Sequence, residues 1–190
     1  MKMGMRNKII RILRNTDTQR INFGFTATDG DSVKINGASF RRVADAIEKN
    51  DIKVRFGGVP HGVAKYSAWL DGKSAGNTIY IGKANYSSRD FDALMVHESV
   101  HAFFDLTRTS IQWVDNEAAA YVSQGFYLRN SGYAQKRMST TGMPYLGRML
   151  VNAIKEGESA NSFWMTQLID ALKTNDRYQG YIHTCFHGDG

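Results

Sequence analysis

Residues 90–106 read Asp90-Phe91-Asp92-Ala93-Leu94-Met95-Val96-His97-Glu98-Ser99-Val100-His101-Ala102-Phe103-Phe104-Asp105-Leu106, a strongly apolar, helix-compatible run with His-Glu-x-x-His at its centre. At about 100° per residue, His97 and His101 fall about 40° apart on one face, one turn above the other, so two imidazoles can share one metal ion. Glu98 sits about 100° round from His97. That is too far to ligate the same ion but close enough to touch a water bound to it, the place for a general base. Phe91, Met95, Val96, Ala102, Phe103 and Leu106 make the helix apolar nearly all round, as expected of one buried at the centre of a domain.

A catalytic zinc ion usually takes three protein ligands and keeps one position open. The next helical segment, predicted from Trp113 to near Asn130, supplies a candidate in Glu117, within its first turns. Ala118, Ala119 and Ala120 would let this helix approach the first closely, as a short carboxylate arm requires. The competing reading of Glu117 is an acid placed at a helix N-terminus by the macrodipole. His61, His183 and His187 are less economical third ligands, the last two lying more than eighty residues downstream of His101.

In these residues the chain resembles the gluzincin branch of zinc metallopeptidases, which carry His-Glu-x-x-His on one helix and a glutamate ligand on the next. The resemblance spans about 45 residues, from the strand at Asn77–Ile81 to about Gln124. It implies His97, His101 and Glu117 as ligands of one Zn²⁺ per chain, Glu98 as general base, and peptide-bond hydrolysis, an endopeptidase acting on protein or peptide. It also casts Asn77–Ile81 as the rim of the cleft. Two features depart from thermolysin-like members. Only fifteen residues separate His101 from Glu117, which requires a tight turn around Thr107–Ser110, and Tyr121 stands where those members have an aspartate that orients the first histidine. Asp105, on the histidine side of its helix, is the substitute expected from position. The metzincin extension is absent, because Phe104 and Thr107 occupy its glycine and histidine positions. A deformylase-type cysteine ligand is equally absent upstream, since the one cysteine is Cys185. Tyr121 and His183 are candidates for the oxyanion donor that such chemistry needs.

Elsewhere, short strands are expected at Ile21–Phe25 and Ser32–Ile35, then a helix from Phe40 to Lys49 capped by Ser39 with Phe40, Val43, Ala44 and Ile47 inward. Strands follow at Ile52–Phe56, Val63–Leu70 and Asn77–Ile81, the last two joined by a hairpin-like loop at Asp71–Gly76. Ser87 and Asp90 suggest a capping box that opens the metal helix. Helices are expected near Met143–Lys155 and Ser162–Lys173. The tail bearing His183, Cys185 and His187 reads as frayed, with a second metal site the lesser alternative. The expected fold is α+β and zincin-like: a mixed sheet packed on an N-terminal helix and a central metal-binding helix, followed by a helical C-terminal part, in one domain over residues 1–190.

The 190 residues are 42% hydrophobic, enough for a sizeable core, and one cysteine excludes a disulfide framework. The net charge of +6 permits nucleic-acid binding, but apart from Lys8, Arg11, Arg14 and the Arg41-Arg42 pair the basic residues are scattered. A solvated basic surface is therefore favoured over a nucleic-acid partner. Arg11 interrupts the apolar run Ile9–Leu13 and no cleavage site follows, which argues against a signal peptide. No stretch approaches membrane-spanning length. A cytoplasmic protein, or one secreted without a cleavable signal, fits these features. The rival reading is a zincin-like module that holds metal for binding or regulation without proteolysis.

Overall fold

Met5, Ile9, Ile12 and Leu13 recur at helical spacing and are buried on the inner face of α1 (Lys2–Arg14). The structure, a computed structural model, describes residues 2–68, 76–138, 142–154, 160 and 162–188. Arg14 lies outside the apolar stripe and pairs with Asp45 and Glu48, while Lys8 pairs with Asp92. A single turn, α2 (Thr16–Gln19), leads into the antiparallel hairpin β1 (Asn22–Thr26) and β2 (Ser32–Asn36). Phe23 and Phe25 face Ile35 and Val33 across the hairpin, all four buried, as period-2 patterning requires. Helix α3 (Gly37–Lys49) starts three residues earlier than expected. Asn36, not Ser39, is its cap, and Ser39 at the third position completes the reciprocal capping box by accepting the Asn36 N–H.

Three strands form the mixed sheet: β3 (Lys53–Phe56), β4 (Ala64–Ser67) and β5 (Thr78–Ile81), in the order β3-β5-β4. β3 runs parallel to β5 and β4 antiparallel to it. The expected rim strand at Asn77–Ile81 is thus the central strand, and the edge beside the metal helix belongs to β4, which the local pattern alone cannot distinguish. The expected strand end at Trp69-Leu70 and all but the last residue of the loop at Asp71–Gly76 lie outside the described residues.

Helix α4 (Arg89–Leu106) is capped by Ser88, whose hydroxyl accepts the Phe91 N–H at 3.1 Å. After a short strand, β6 (Ser110–Gln112), α5 (Trp113–Asn130) returns antiparallel along it. Contacts at both ends fix that direction, His101 meeting Asn116 and Asp92 meeting Tyr127. Phe91, Met95, Val96, Val100 and Phe104 on α4 and Ala118, Ala119, Ala120, Val122 and Phe126 on α5 are buried, so both helices are core elements. Next, α6 (Met143–Asn152) crosses α5 where Gly125 meets Gly147. A Cβ on Gly147 would stand 2.4 Å from the Tyr121 carbonyl oxygen, so only glycine allows this approach. Helix α7 (Ser162–Thr174) and a 3-10 turn at Asp176–Tyr178 precede β7 (Cys185–His187), which pairs with β6. The tail is therefore not frayed: the ladder and the buried Phe186 anchor it. The whole is α+β and zincin-like, with the mixed sheet on one side of the metal helix and a helical C-terminal part beyond it. No helix among the described residues is long and apolar enough to cross a membrane.

Candidate metal centre

Three consecutive polar residues, Asp115, Asn116 and Glu117, lie in the first turns of α5, and successive positions on a helix point about 100° apart. Asp115 turns to the β1–β2 hairpin and accepts the Thr28 N–H and hydroxyl at 3.0 and 3.1 Å. Asn116 turns to α4, where its Oδ1 accepts the His101 Nδ1 proton at 2.7 Å. Glu117 enters between the histidines, with Oε2 3.5 Å from His97 Nε2 and Oε1 3.5 Å from His101 Nε2. One ligating atom from each of His97, His101 and Glu117 lies within 4.8 Å of the others, the sole such cluster of three among the described residues. The side chains are 7, 12 and 12% exposed.

Burial alone would pull the His97 imidazole down, but the hydrogen bond and charge of Glu117 outweigh it and hold His97 above its ordinary value of 6.5. Burial alone would push Glu117 up, yet His101 and His97 keep its carboxyl below the usual range. The two shifts oppose each other, Glu117 favouring its charged form and His97 its protonated one, the electrostatics expected of a site built for a cation. The set of two imidazole nitrogens and one carboxylate oxygen suits zinc. Asn116 fixes the His101 tautomer so that Nε2 faces the cluster. The Tyr121 ring packs on His97, ring centroids 4.5 Å apart, where thermolysin-like members place an acid, and the Gln124 side chain, two turns after Glu117, also bears on the imidazole.

Glu98 is 5% exposed and lines the same cleft. Its Oε2 accepts the backbone N–H of Tyr66, on rim strand β4, at 2.8 Å. The Tyr66 hydroxyl donates to Asp105 at 2.5 Å, so one rim residue is tied to α4 at points two turns apart. Asp105 thus braces the rim, and the role of orienting a histidine falls to Asn116.

The C-terminal segment completes the site. Trp113 N–H donates to the Thr184 carbonyl at 2.9 Å, and the β6–β7 ladder continues this tether. Tyr178 is thereby brought to Tyr121, with the two hydroxyls 2.5 Å apart. Burial, reinforced by nearby negative charge, raises both phenols above their ordinary value, Tyr121 strongly. His61, His183 and His187 are exposed and stand outside the cluster. His183 does not line the cleft, and the tail does not gather a second set of ligands among the described residues.

The cleft encloses about 1320 Å³ between β4 and the facing stripes of α4 (Asp90, Leu94, His97, His101) and α5 (Trp113, Glu117, Tyr121, Gln124, Leu128). No family model, curated protein or solved structure gives a significant match to this chain. The site itself is explicit: His97-Glu98-x-x-His101 on one helix and Glu117 on the next match the gluzincin order of ligands, and their donors converge as a candidate metal-binding site.

Two outcomes follow from this geometry. Asn116→Ala removes the acceptor for His101 Nδ1 and should weaken zinc binding by about 10- to 100-fold, whereas Asn116→Asp keeps an acceptor and should bind nearly as the parent does. A competition titration against a chromophoric chelator reads this, and unchanged affinity in Asn116→Ala would refute the orienting role. The second outcome concerns pH. In the metal-free chain the raised His97 contributes stability present below its unfolded value and lost as pH rises through its folded value; the depressed Glu117 contributes stability present above its unfolded value and lost as pH falls through its folded one. Melting of the metal-free chain should therefore show this contribution at its largest between the ordinary values of 4.5 and 6.5. Zinc must displace the His97 proton, so its affinity should already decline as pH is lowered from above 6.5.

Proposed function

We infer that the chain is a zinc-dependent endopeptidase holding one Zn²⁺ through His97, His101 and Glu117, with Glu98 as general base. The observation that carries this reading is the convergence of the three donors beside a buried, oriented carboxylate that is not itself one of them. A module that only held metal would have no use for Glu98 at that place.

Zinc in such a donor set lowers the pKa of a water in its open position and polarises a carbonyl oxygen, and that is the chemistry it supplies here. The chain's own residues do the rest. The Tyr66 N–H holds one oxygen of Glu98, leaving Oε1 to accept a proton and return it to the departing amine. The Tyr121–Tyr178 pair keeps one O–H free after their mutual hydrogen bond, a donor for a developing oxyanion. Tyr178 thus joins Tyr121 in the candidate set, and His183 leaves it.

The cleft suits an extended peptide. Asp90 and His101 are eleven residues apart on α4, which at the helical rise is about 16 Å. That length accommodates about five residues of extended chain. β4 is an edge strand of the three-stranded sheet and lines the cleft, so a substrate would lie along it, with the Tyr66 N–H already committed to Glu98. A cleft that runs past the catalytic group in both directions supports internal cleavage over trimming of ends.

A nucleic-acid role draws little support. Of the five basic residues grouped in the sequence, Arg14 and Lys8 are in ion pairs, Arg41 bonds Gln19 and Arg42 donates to the Leu106 carbonyl, which leaves Arg11 exposed on α1.

Glu98→Gln keeps the volume and a hydrogen-bond acceptor for the Tyr66 N–H but cannot take a proton. It should fold and bind zinc as the parent does while losing peptide hydrolysis by at least about 100-fold, the lower range of a general-base contribution. A peptide-library digest of parent and variant, each with zinc content measured, decides the matter. Equal cleavage by the two, or a zinc-loaded parent that cuts nothing, would favour the non-proteolytic module.

A further inference from the structure

Arg177 is set on the cleft wall by three successive constraints. Its backbone N–H donates to Asn175 Oδ1 at 3.0 Å, which starts the 3-10 turn. Its guanidinium lies over the Tyr178 ring, 5.8 Å from the centroid. Tyr178 in turn is bonded to Tyr121 and packed on Trp113, with ring centroids 5.0 Å apart, and Tyr121 packs on His97. The cation therefore stands at the α5 N-terminal end of the cleft, whose wall Arg177 lines together with Glu117, Tyr121 and Tyr178. No carboxylate lies within 4 Å of it among the described residues, although the side chain is exposed. The opposite end of the same stripe carries an acid, Asp90, which accepts the Tyr133 hydroxyl. The cleft thus carries a cation on the wall beside the metal ligands and an acid, Asp90, at its far end.

We propose that Arg177 recognises a carboxylate on the substrate next to the scissile bond, which makes this a peptidase selective for an acidic group at that position. The proposal rests on the peptidase reading above. A planar guanidinium offers paired donors matched to a carboxylate, and its place on Tyr178 removes part of the ordering cost that an unsupported arginine would bear. The carboxylate has two possible sources, an Asp or Glu side chain flanking the cut or the free C-terminus of a short peptide.

The test compares matched peptides carrying Glu, Gln or Lys at each position flanking the cut, with free or amidated C-termini. The parent enzyme should favour the carboxylate-bearing peptide over its neutral match by about three- to tenfold in kcat/KM, between the effect of an exposed ion pair and that of a charge-assisted hydrogen bond. Arg177→Gln should bring that ratio close to one, and Arg177→Glu should turn it in favour of the Lys peptide. Selectivity kept by amidated Glu peptides assigns a side-chain carboxylate, and selectivity lost on amidation assigns the terminus. Lys65→Gln, which removes another charge lining the cleft, controls for a general field effect. The same peptides are also measured by fluorescence anisotropy on zinc-loaded Glu98→Gln with and without Arg177→Gln, so that recognition is read even if the parent cleaves nothing. A parent without preference in both assays, a preference that survives Arg177→Gln, or an equal loss in Lys65→Gln would overturn the proposal.

Discussion

The structure depends on one contact, Glu117 reaching between His97 and His101 from the neighbouring helix. A carboxylate arm is short, so the axes of α4 and α5 must come close, and the fully buried Ala118, Ala119 and Ala120 permit it. Three ionisable groups so little exposed are costly to hold without a compensating charge. In its absence His97 and Glu117 favour opposite charges across the contact, and a divalent ion offsets the same imbalance more completely. That coupling of burial to cation binding is the physical reason for reading the cluster as a metal centre. Stability and function here draw on the same side chains.

The surrounding elements are fastened to this centre by polar contacts from a distance. Tyr66 fixes β4 to α4 twice, by its N–H on Glu98 and its hydroxyl on Asp105, so the strand that forms the rim also aims the base. Asn116 orients His101 from α5, and Tyr178 arrives from a segment whose only strand is a three-residue ladder with β6. The cleft floor is thereby built from two rigid helices, while its walls are a strand edge and a tethered tail. Such a division places the chemistry on the stiffest elements and leaves substrate selection to the walls.

The parts legible in the sequence are those set by local periodicity. His-Glu-x-x-His declares its helix because both the ligand spacing and the surrounding apolar residues obey the same period, and α5 runs from Trp113 to Asn130 as its alanine-rich pattern suggests. Glu117 was accessible through the chemistry of a third ligand. Strand order was not, because the edge position of β4 is decided by pairings between distant residues and not by its composition. Asp105 illustrates the limit of a helical wheel: it stands one turn beyond His101, as an orienting acid should, but the Tyr66 hydroxyl claims it from a strand 39 residues earlier. Asn116 carried a signal in its position beside Glu117, whereas Tyr178 carried none, being 61 residues downstream in a polar tail. Helix α1 was not read from the sequence because Arg11, which interrupts the run Ile9–Leu13 when read linearly, falls outside the stripe that Met5, Ile9, Ile12 and Leu13 bury.

The central claim is that His97, His101 and Glu117 together hold one zinc ion. X-ray absorption at the zinc edge on protein purified without chelator tests it most directly, because imidazole, carboxylate and thiolate donors scatter differently. The expected spectrum contains only nitrogen and oxygen neighbours at about 2.0–2.2 Å, with the multiple-scattering signature of two imidazoles. It should change to one imidazole in His101→Ala and lose its ordered donor set in Glu117→Ala. A sulfur neighbour at about 2.3 Å, which only Cys185 or a methionine could provide, or a third imidazole that persists when Glu117 is replaced, would contradict the assignment.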